Sequence, residues 1–529
     1  MALVKIDGIE VEVPDGTNMI EAAKKVGVEI PHYCYHPHLT IAGNCRMCLV
    51  DVEAGGRGPD VACNMGARDG LAIRTDTDQV IQMRKSVMEF LLVNHPLDCA
   101  ICDQAGECRL QDYYMDHGNY ESRLSDPKVS KAKRQDIGEH IVMDAERCVA
   151  CTRCVRFGDE ITHTGELRLF DRSDHTRIGM FPGEKLSHQY QGNLADICPV
   201  GALTNKDFRF EKRVWYLREQ DSVCTGCATG CNITVCHEQG QVFRYLPRRN
   251  DAVNDSWMCD PGRMSYKRNR AMSRILRATV DGERVDLAAA IDALVEATGH
   301  GSVGIVLGAQ ETNEANWALF QLSRMGLEGA RLFHVAGNDP DAYAVADDLL
   351  VSADANPNTA GVKLLAAHTE VEDEEALLTA VADGALQTLI ILADDVVGRL
   401  DLGLSGVQTV AYLGTHDNRT AQASRIVLPV AVHVAQDGSF INQDGRVQRL
   451  RRSVHPLGDA QPAYRLVDAL GAALGDAPGT AQAAGTFAQM AAEIAEMTGM
   501  TYRSIGDQGE VLGQGASPAP APTTDQPTA

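Results

Sequence analysis

The hydrophobic pattern changes once along the chain. Up to about residue 270, short apolar runs are broken by polar turns and cysteines; beyond about 272 the runs lengthen. Leu3 to Ile6 and Val11 to Val13 flank Asp7-Gly8, which predicts a β-hairpin. Asp15-Gly16-Thr17 opens a predicted helix over Met19 to Val26, ended by Gly27. Asp76 to Asn94 reads as an amphipathic helix with Val80, Met83, Val87 and Leu91 on one stripe, and Asp76 and Gln79 have capping-box spacing. Residues 121 to 137 are polar and basic (Lys128, Lys131, Lys133, Arg134) and read as a connector. His140 to Asp144 and Ile233 to Cys236 are predicted strands, and Leu167 to Phe181 has strand-like patches.

In the last half, strand-like runs (Val303 to Leu307, Arg331 to Val335, Thr388 to Leu392, Thr409 to Leu413) alternate with helical ones (Asn313 to Met325, Glu372 to Ala382). Such alternation predicts an α/β domain with a mostly parallel sheet. The fold class is therefore α+β followed by α/β. Gly308-Ala-Gln is no dinucleotide fingerprint, because no Gly-x-Gly-x-x-Gly follows a strand. No convincing nucleophile–base set occurs either; His416 beside Asp417 reads as a loop pair. Residues 513 to 529, rich in Ala, Pro and Thr, read as a disordered tail.

Charge and length narrow the function. The 529 residues carry a net charge of −23, which argues against a nucleic-acid partner and for an acidic surface that docks to proteins. No run approaches the roughly 18 apolar residues of a membrane span. The N-terminus lacks a basic segment followed by an apolar one, so no secretory signal is read. The expectation is a cytosolic chain whose membrane link runs through partners.

All 16 cysteines lie between Cys34 and Cys259. Clustering in a long, non-secreted chain points to metal rather than disulfides. Cys148-x2-Cys151-x2-Cys154, closed by Cys198-Pro199, has the spacing of a bacterial-ferredoxin [4Fe–4S] site. Structural zinc more often takes two separate cysteine pairs. Cys34-x10-Cys45-x2-Cys48-x14-Cys63 has a plant-ferredoxin-like core with a longer first gap. His95-x3-Cys99-x2-Cys102-x5-Cys108 offers three thiolates and an imidazole; the alternative is a histidine satisfying the last carbonyls of its helix. Cys224-x2-Cys227-x3-Cys231-x27-Cys259 is a fourth set, with zinc as its rival and with Gly226 and Gly230 expected to let the backbone approach the ligands. Cys236 is left over and reads as a buried structural thiol. Arg147, Arg153 and Arg156 lie among the cysteines, as solvated side chains or as charges that adjust cluster potential.

Four motifs in this order resemble the family of the bacterial NADH-quinone oxidoreductase G subunit, counterpart of the mitochondrial complex I 75 kDa subunit. The specific matches are His95-Pro-Leu-Asp-Cys99-Ala-Ile-Cys102-Asp-Gln-Ala-Gly-Glu-Cys108, Asp196-Ile-Cys198-Pro-Val-Gly-Ala-Leu-Thr204 and Trp257-Met-Cys259-Asp-Pro-Gly-Arg263. The resemblance implies a [2Fe–2S] cluster on Cys34, Cys45, Cys48 and Cys63. It implies [4Fe–4S] clusters on His95, Cys99, Cys102 and Cys108; on Cys148, Cys151, Cys154 and Cys198; and on Cys224, Cys227, Cys231 and Cys259. The last is held by only some family members and is thought to lie off the main electron path.

Ala309-Gln-Glu-Thr-Asn313 and Asp437-Gly-Ser-Phe-Ile-Asn442-Gln-Asp-Gly-Arg-Val-Gln448 are similar to a molybdopterin-oxidoreductase domain, here shortened. No cysteine follows Cys259 to hold molybdenum, so no molybdenum cofactor is expected. The implied domains are a β-grasp [2Fe–2S] domain at 1–77, a one-histidine, three-cysteine segment at 78–120, and a [4Fe–4S] ferredoxin-like domain at 138–217. A further [4Fe–4S] domain at 218–272, a degenerate α/β domain at 273–500 and a tail at 501–529 complete the chain.

The implied function is an electron relay with no substrate site of its own. The implied partners are a flavin-bearing, NADH-oxidising subunit with its small [2Fe–2S] companion, and the downstream iron–sulfur and quinone-site subunits. The implied place is the cytoplasmic side of the bacterial inner membrane. An NAD-linked formate dehydrogenase, a hydrogenase and a zinc-stabilised scaffold are the alternatives.

Overall fold

Asp7 and Gly8 both take positive φ, +49° and +89°, as a two-residue hairpin turn of this hand demands. They join Ala2–Ile6 to Ile9–Val13 in an antiparallel pair, Ile6 opposite Ile9. The computed structural model describes residues 1–53, 58–335, 344–475 and 479–513. The chain forms two compact units, Met1–Leu217 and Arg218–Ala529.

In the first unit the hairpin belongs to a five-stranded sheet in the order Ile9–Val13, Ala2–Ile6, Ala72–Arg74, Leu49–Val52, Asp60–Val61. Ala2, Val4 and Ile6 alternate inward and pack with Met19, Ile20, Ala22 and Ala23 of the helix Met19–Lys24. This is the β-grasp arrangement the pattern predicts.

The next helix, Asp78–Leu92, departs from expectation at its start and on its face. Thr77, not Asp76, caps it, accepting from Val80 N at 3.3 Å. Asp76 is drawn instead to Arg74, 2.9 Å away. The buried positions are Val80, Arg84 and Met88, whereas Met83 is 38% exposed. Arg84 claims the inner face because its guanidinium donates to Leu49 O at 2.9 Å.

The expected connector is also more than a spacer. Lys128 Nζ donates to the carbonyls of Leu92 and Val93 at 2.7 and 2.9 Å, closing that helix at its C-terminus. Smaller sheets complete the unit: Leu203–Asn205, Ile141–Met143 and Gln135–Asp136, and the pair Arg168–Phe170 with Arg177–Gly179.

The second unit opens with a three-stranded antiparallel sheet, Arg218–Val223, Asn232–Glu238 and Gln241–Pro247. Its main sheet has eight strands. From one edge they run Val371–Glu372, Arg331–His334, Val303–Leu307, Thr388–Leu392, Thr409–Gly414, Ile426–Pro429, Ala278–Val280 and Glu283–Val285. The first six are parallel and the last two antiparallel. Counted in chain order, the parallel strands run 3-2-1-4-5-6, a doubly wound order.

The central strands are apolar throughout because both faces are covered. Ile305, Leu307, Ile390 and Leu392 face a core that includes Leu319 and Leu322 of the helix Asn313–Met325. Val306, Leu389, Ile391 and Tyr412 face the opposite core, with Leu377 and Val381 of Glu374–Ala382.

The tail begins later than residue 501. Thr501 forms a capping box with Ser504 on the helix Tyr502–Ile505, and Glu510–Val511 pairs with Arg446–Leu450. Residues 514–529 lie outside the described residues.

Thr77→Ala removes the N-terminal side-chain cap of Asp78–Leu92, a loss of about 1 kcal/mol. Amide exchange across residues 78–92 should quicken about fivefold. Asp76→Ala, which breaks an exposed ion pair only, should leave it near the parent rate.

Candidate iron–sulfur centres

All 16 cysteines are free, and 15 of them fall into the four sets that spacing suggests. Cys34, Cys48 and Cys63 are buried under the five-stranded sheet, and Cys45 is half-buried. Their side chains hydrogen-bond with one another, Cys34 to Cys45 and Cys63, and Cys48 to Cys63. That sharing depresses Cys34 and Cys48 and raises Cys45 and Cys63. Asn18 Nδ2 ties Cys63 O at 2.5 Å to the cap of the first helix.

Ala150 and Thr152, at φ +48° and +63°, turn the backbone twice between Cys148 and Cys154. Cys154 sits in the helix Arg153–Glu160. Cys148, Cys151, Cys154 and Cys198 line one cavity walled by Met143, Ile178, Val200 and Leu203. Burial pushes Cys148 to about 11 and Cys198 to about 12, and the sulfurs raise one another further. Neutral thiols fill this site only while nothing positive shares it. The cavity leaves about 20 Å³ open to a water-sized sphere.

His95 follows the helix Asp78–Leu92, whose last carbonyls Lys128 occupies. The alternative role for His95 is therefore already filled, and among the described residues its ring makes no hydrogen bond. Burial lowers its pKa to about 4 and keeps the imidazole neutral, the ligating form. Cys102 is buried, Cys108 half-buried and Cys99 exposed. Burial raises Cys108 to about 11. Arg213 clamps the loop from outside, donating to Cys102 O and Ala100 O at 2.7 Å each.

In the second unit, Cys224 N donates to Cys231 O at 2.8 Å and Gly262 N to Cys259 Sγ at 3.3 Å. A β-carbon on Gly262 would stand 3.1 Å from Cys259 Sγ and 3.3 Å from Cys224 Sγ. Gly226 does bring its backbone to the Cys224 sulfur, as expected, and Gly262 is a second glycine close to sulfur. Gly230 instead clears Gln448 and Asn442. Cys236 is fully buried in Asn232–Glu238, away from the set in role.

Arg153 and Arg156 are not solvated but tie backbone carbonyls together. Arg156 Nη2 donates to Cys34 O at 2.5 Å and to Cys151 O at 3.3 Å, so one guanidinium joins two sets. Arg153 donates to Ile197 O at 3.1 Å and to Tyr35 O.

The α/β domain carries a separate cavity of about 360 Å³ at the carboxyl ends of its parallel strands. Gln310, Asp394 and Thr415, each just past a strand end, line it. His416 there bonds Thr415 Oγ1 at 2.8 Å and Arg268 O at 2.9 Å, a loop contact as expected. No cysteine lines it. Glu311, on its wall, and Glu314 are both fully buried, which the sequence pattern did not reveal. Burial raises each to about 7.

Family profiles match the chain in five places. They are a 2Fe-2S iron-sulfur cluster binding domain (residues 2–78), the NADH-ubiquinone oxidoreductase-G iron-sulfur binding region (84–123) and the ferredoxin-like domain of NADH-quinone oxidoreductase subunit 3 (138–204). An NADH-ubiquinone oxidoreductase NDSU1/NuoG-like 4Fe-4S domain (217–267) and a molybdopterin oxidoreductase domain (307–473) follow. The fold and sites thus define an iron–sulfur protein fused to a molybdopterin-oxidoreductase-type domain.

The NADH-quinone oxidoreductase G subunit of Rickettsia conorii is 30% identical over 586 residues, covering 89% of this chain and 87% of that one. The G subunit of Streptomyces coelicolor is 36% identical over 337 residues, covering 62% of this chain and 40% of that one. The mitochondrial NADH dehydrogenase (ubiquinone) iron-sulfur protein 1 of Solanum tuberosum is 42% identical over 277 residues, 52% of this chain and 37% of that one. The chain belongs to the family of the NADH-quinone oxidoreductase G subunit. Among solved structures, an NAD+-reducing [NiFe]-hydrogenase aligns at TM-score 0.36 and 25% identity, over 40% of this chain and 91% of that one.

The two buried glutamates set a pH dependence. Unfolded, they ionise near 4.5; folded, near 7. The unfolded state loses its protons first, so stability falls as pH rises from about 4.5 to about 7 and stays lower above. Glu311→Gln removes its share, leaving the protein roughly 3 kcal/mol more stable than the parent above pH 7 and unchanged below pH 4.5. Thermal unfolding of the second unit across pH 4.5–7.5 checks this; parent-like pH dependence in the variant would assign the effect elsewhere.

Proposed function

We propose that this chain is the iron–sulfur electron-relay subunit in the peripheral arm of a proton-pumping NADH:quinone oxidoreductase. One observation carries the reading. Cys34, Cys108, Cys148, Cys151 and Cys198, from three of the four sets, pack on one apolar core with Tyr33, Met88, Leu110 and Val200. Metals that only braced separate loops would not need a shared core; a relay does, because electrons cross only between neighbouring centres.

The proposed cofactors are one [2Fe–2S] cluster, on Cys34, Cys45, Cys48 and Cys63, and three [4Fe–4S] clusters. The latter sit on His95, Cys99, Cys102 and Cys108; on Cys148, Cys151, Cys154 and Cys198; and on Cys224, Cys227, Cys231 and Cys259. Each, when bound, carries one electron at a time. The residues of this chain fix spacing, exclude water and set the local charge. Arg156 holds the carbonyls of Cys34 and Cys151 together. Tyr33, fully buried, has both Cys45 and Cys108 as charge neighbours.

The proposed partners are a flavin-bearing, NADH-oxidising subunit with its small [2Fe–2S] companion, and downstream iron–sulfur and quinone-site subunits. Cys99 is the one exposed cysteine of the 16, and Leu97 and Ile101 beside it are 92% and 65% exposed. That apolar rim suits a protein partner. The proposed place is the cytoplasmic side of the bacterial inner membrane, reached through the complex. Among the described residues no helix is long and apolar enough to cross a membrane.

Iron and acid-labile sulfide, measured on the anaerobically purified chain freed of its partners, test the reading. The expected content is about 14 irons with matching sulfide. About 10 would remove one cubane, with the Cys224 set the first suspect. Zinc without sulfide would overturn the relay and leave a zinc-stabilised scaffold.

A further inference from the structure

One buried arginine adjoins two of the proposed centres by sequence and by side chain, and its charge serves only one of them. Arg147 immediately precedes Cys148, yet its side chain runs to the other centre. It is 5% exposed. Nη2 and Nε donate to Asp98 Oδ2 at 2.9 and 3.2 Å, and Nε lies 3.3 Å from Asp144 Oδ2. Lys133 backs this network, 2.6 Å from Asp98 and 2.8 Å from Glu146. Nη1 remains. It is buried and has no hydrogen-bond partner among the described residues.

Cys102 is close by: it is the thiol whose charge acts most on Arg147. Gly201 makes the approach possible. A β-carbon there would stand 2.2 Å from Cys102 Sγ and 3.7 Å from Arg147 Cδ, so sulfur and arginine share the space a side chain would need. The cations that act most on Cys148 and Cys151 are different: Lys131, Arg153 and Arg156. Several buried arginine Nε groups, Arg153 among them, also lack an acceptor; among the described residues only Arg147 Nη1 and Arg274 Nη2 are terminal guanidinium nitrogens in that state, and the first has Gly201 and Cys102 for neighbours.

We propose that Arg147 raises the reduction potential of the His95, Cys99, Cys102 and Cys108 centre, its Nη1–H donating to sulfur on the Cys102 side. The proposal rests on the cluster reading above. Reduction there adds one electron, breaks no bond and needs no proton. A fixed positive charge and a hydrogen bond to sulfur both favour the reduced, more negative state. Arg147 is a positioning residue, not a ligand. Asp98 is the opposing half of the device, since its carboxylate offsets part of the guanidinium charge.

Redox titration followed by electron paramagnetic resonance, on the assembled complex, tests this. The relevant signal is the one that Cys102→Ala abolishes. Arg147→Gln should shift that signal to lower potential and leave the other centres in place, and Arg147→Lys should restore most of the shift. Asp98→Asn, which keeps the arginine and so serves even where Arg147→Gln does not assemble, should move it the opposite way. A structural disturbance would not give opposite signs. If the signal persists and both variants leave its potential unmoved, or move it in one direction, the proposal is overturned. If the parent has no signal that depends on Cys102, the cluster reading falls, and the proposal with it.

Discussion

The first constraint on this chain is electrostatic. Ionisable sulfur is packed into dry protein, and burial pushes Cys148, Cys198, Cys108 and Cys259 up to about 11 or 12. A thiolate in such a place is unstable unless a cation sits with it. On the proposed reading iron would supply that charge, and deprotonation of the cysteines would be coupled to its binding. Much else follows from this coupling. Ligands must come from segments that already converge, or the metal would have to organise the chain unaided.

Convergence is achieved by long cations on backbone carbonyls as well as by the apolar core that three of the sets share. Arg156 joins the carbonyls of Cys34 and Cys151, Arg213 those of Ala100 and Cys102, and Lys128 those of Leu92 and Val93. Each cation satisfies acceptors that loops would otherwise leave bare. The same side chains bring positive charge close to sulfur. Tying and positive charge therefore come from the same residues, and Arg147 adds a terminal N–H without an acceptor.

The sheet of the second unit was legible because its strands are buried on both faces. Val303–Leu307 and Thr388–Leu392 are continuous apolar runs of strand length, and the helix Asn313–Met325 between them begins at a plain Thr312 cap. Local pattern sufficed there. It failed where a distant partner decides. Thr77 and Asp76 are both good caps by type, and the choice is made by Arg74, which claims Asp76. Arg84 occupies an inner helical position that periodicity assigns to an apolar residue, because Leu49 O lies opposite it. At the sites, spacing groups Cys148, Cys151 and Cys154, and Cys198 lines the same cavity after 43 intervening residues. Gly201 and Gly262 carry no such signal; their need is visible only when a sulfur stands where a β-carbon would be.

The second unit sets a cavity at a topologically favoured place and walls it with groups that bond to their neighbours. Its six parallel strands keep a doubly wound order, and a cavity opens at their carboxyl ends, where such sheets place ligands. The walls, however, are internally satisfied. Asp394 and Arg399 pair at 2.7 Å with both side chains about 5% exposed, and both ring nitrogens of His416 are engaged. Glu314, which does not line the cavity, accepts from Ser439 N, Ser439 Oγ and Tyr502 Oη at 2.8 Å each. Asp394, Arg399 and His416 are thus held by neighbours within the wall. The sulfur-rich segments differ, because a buried cysteine gives up its proton readily only beside a cation.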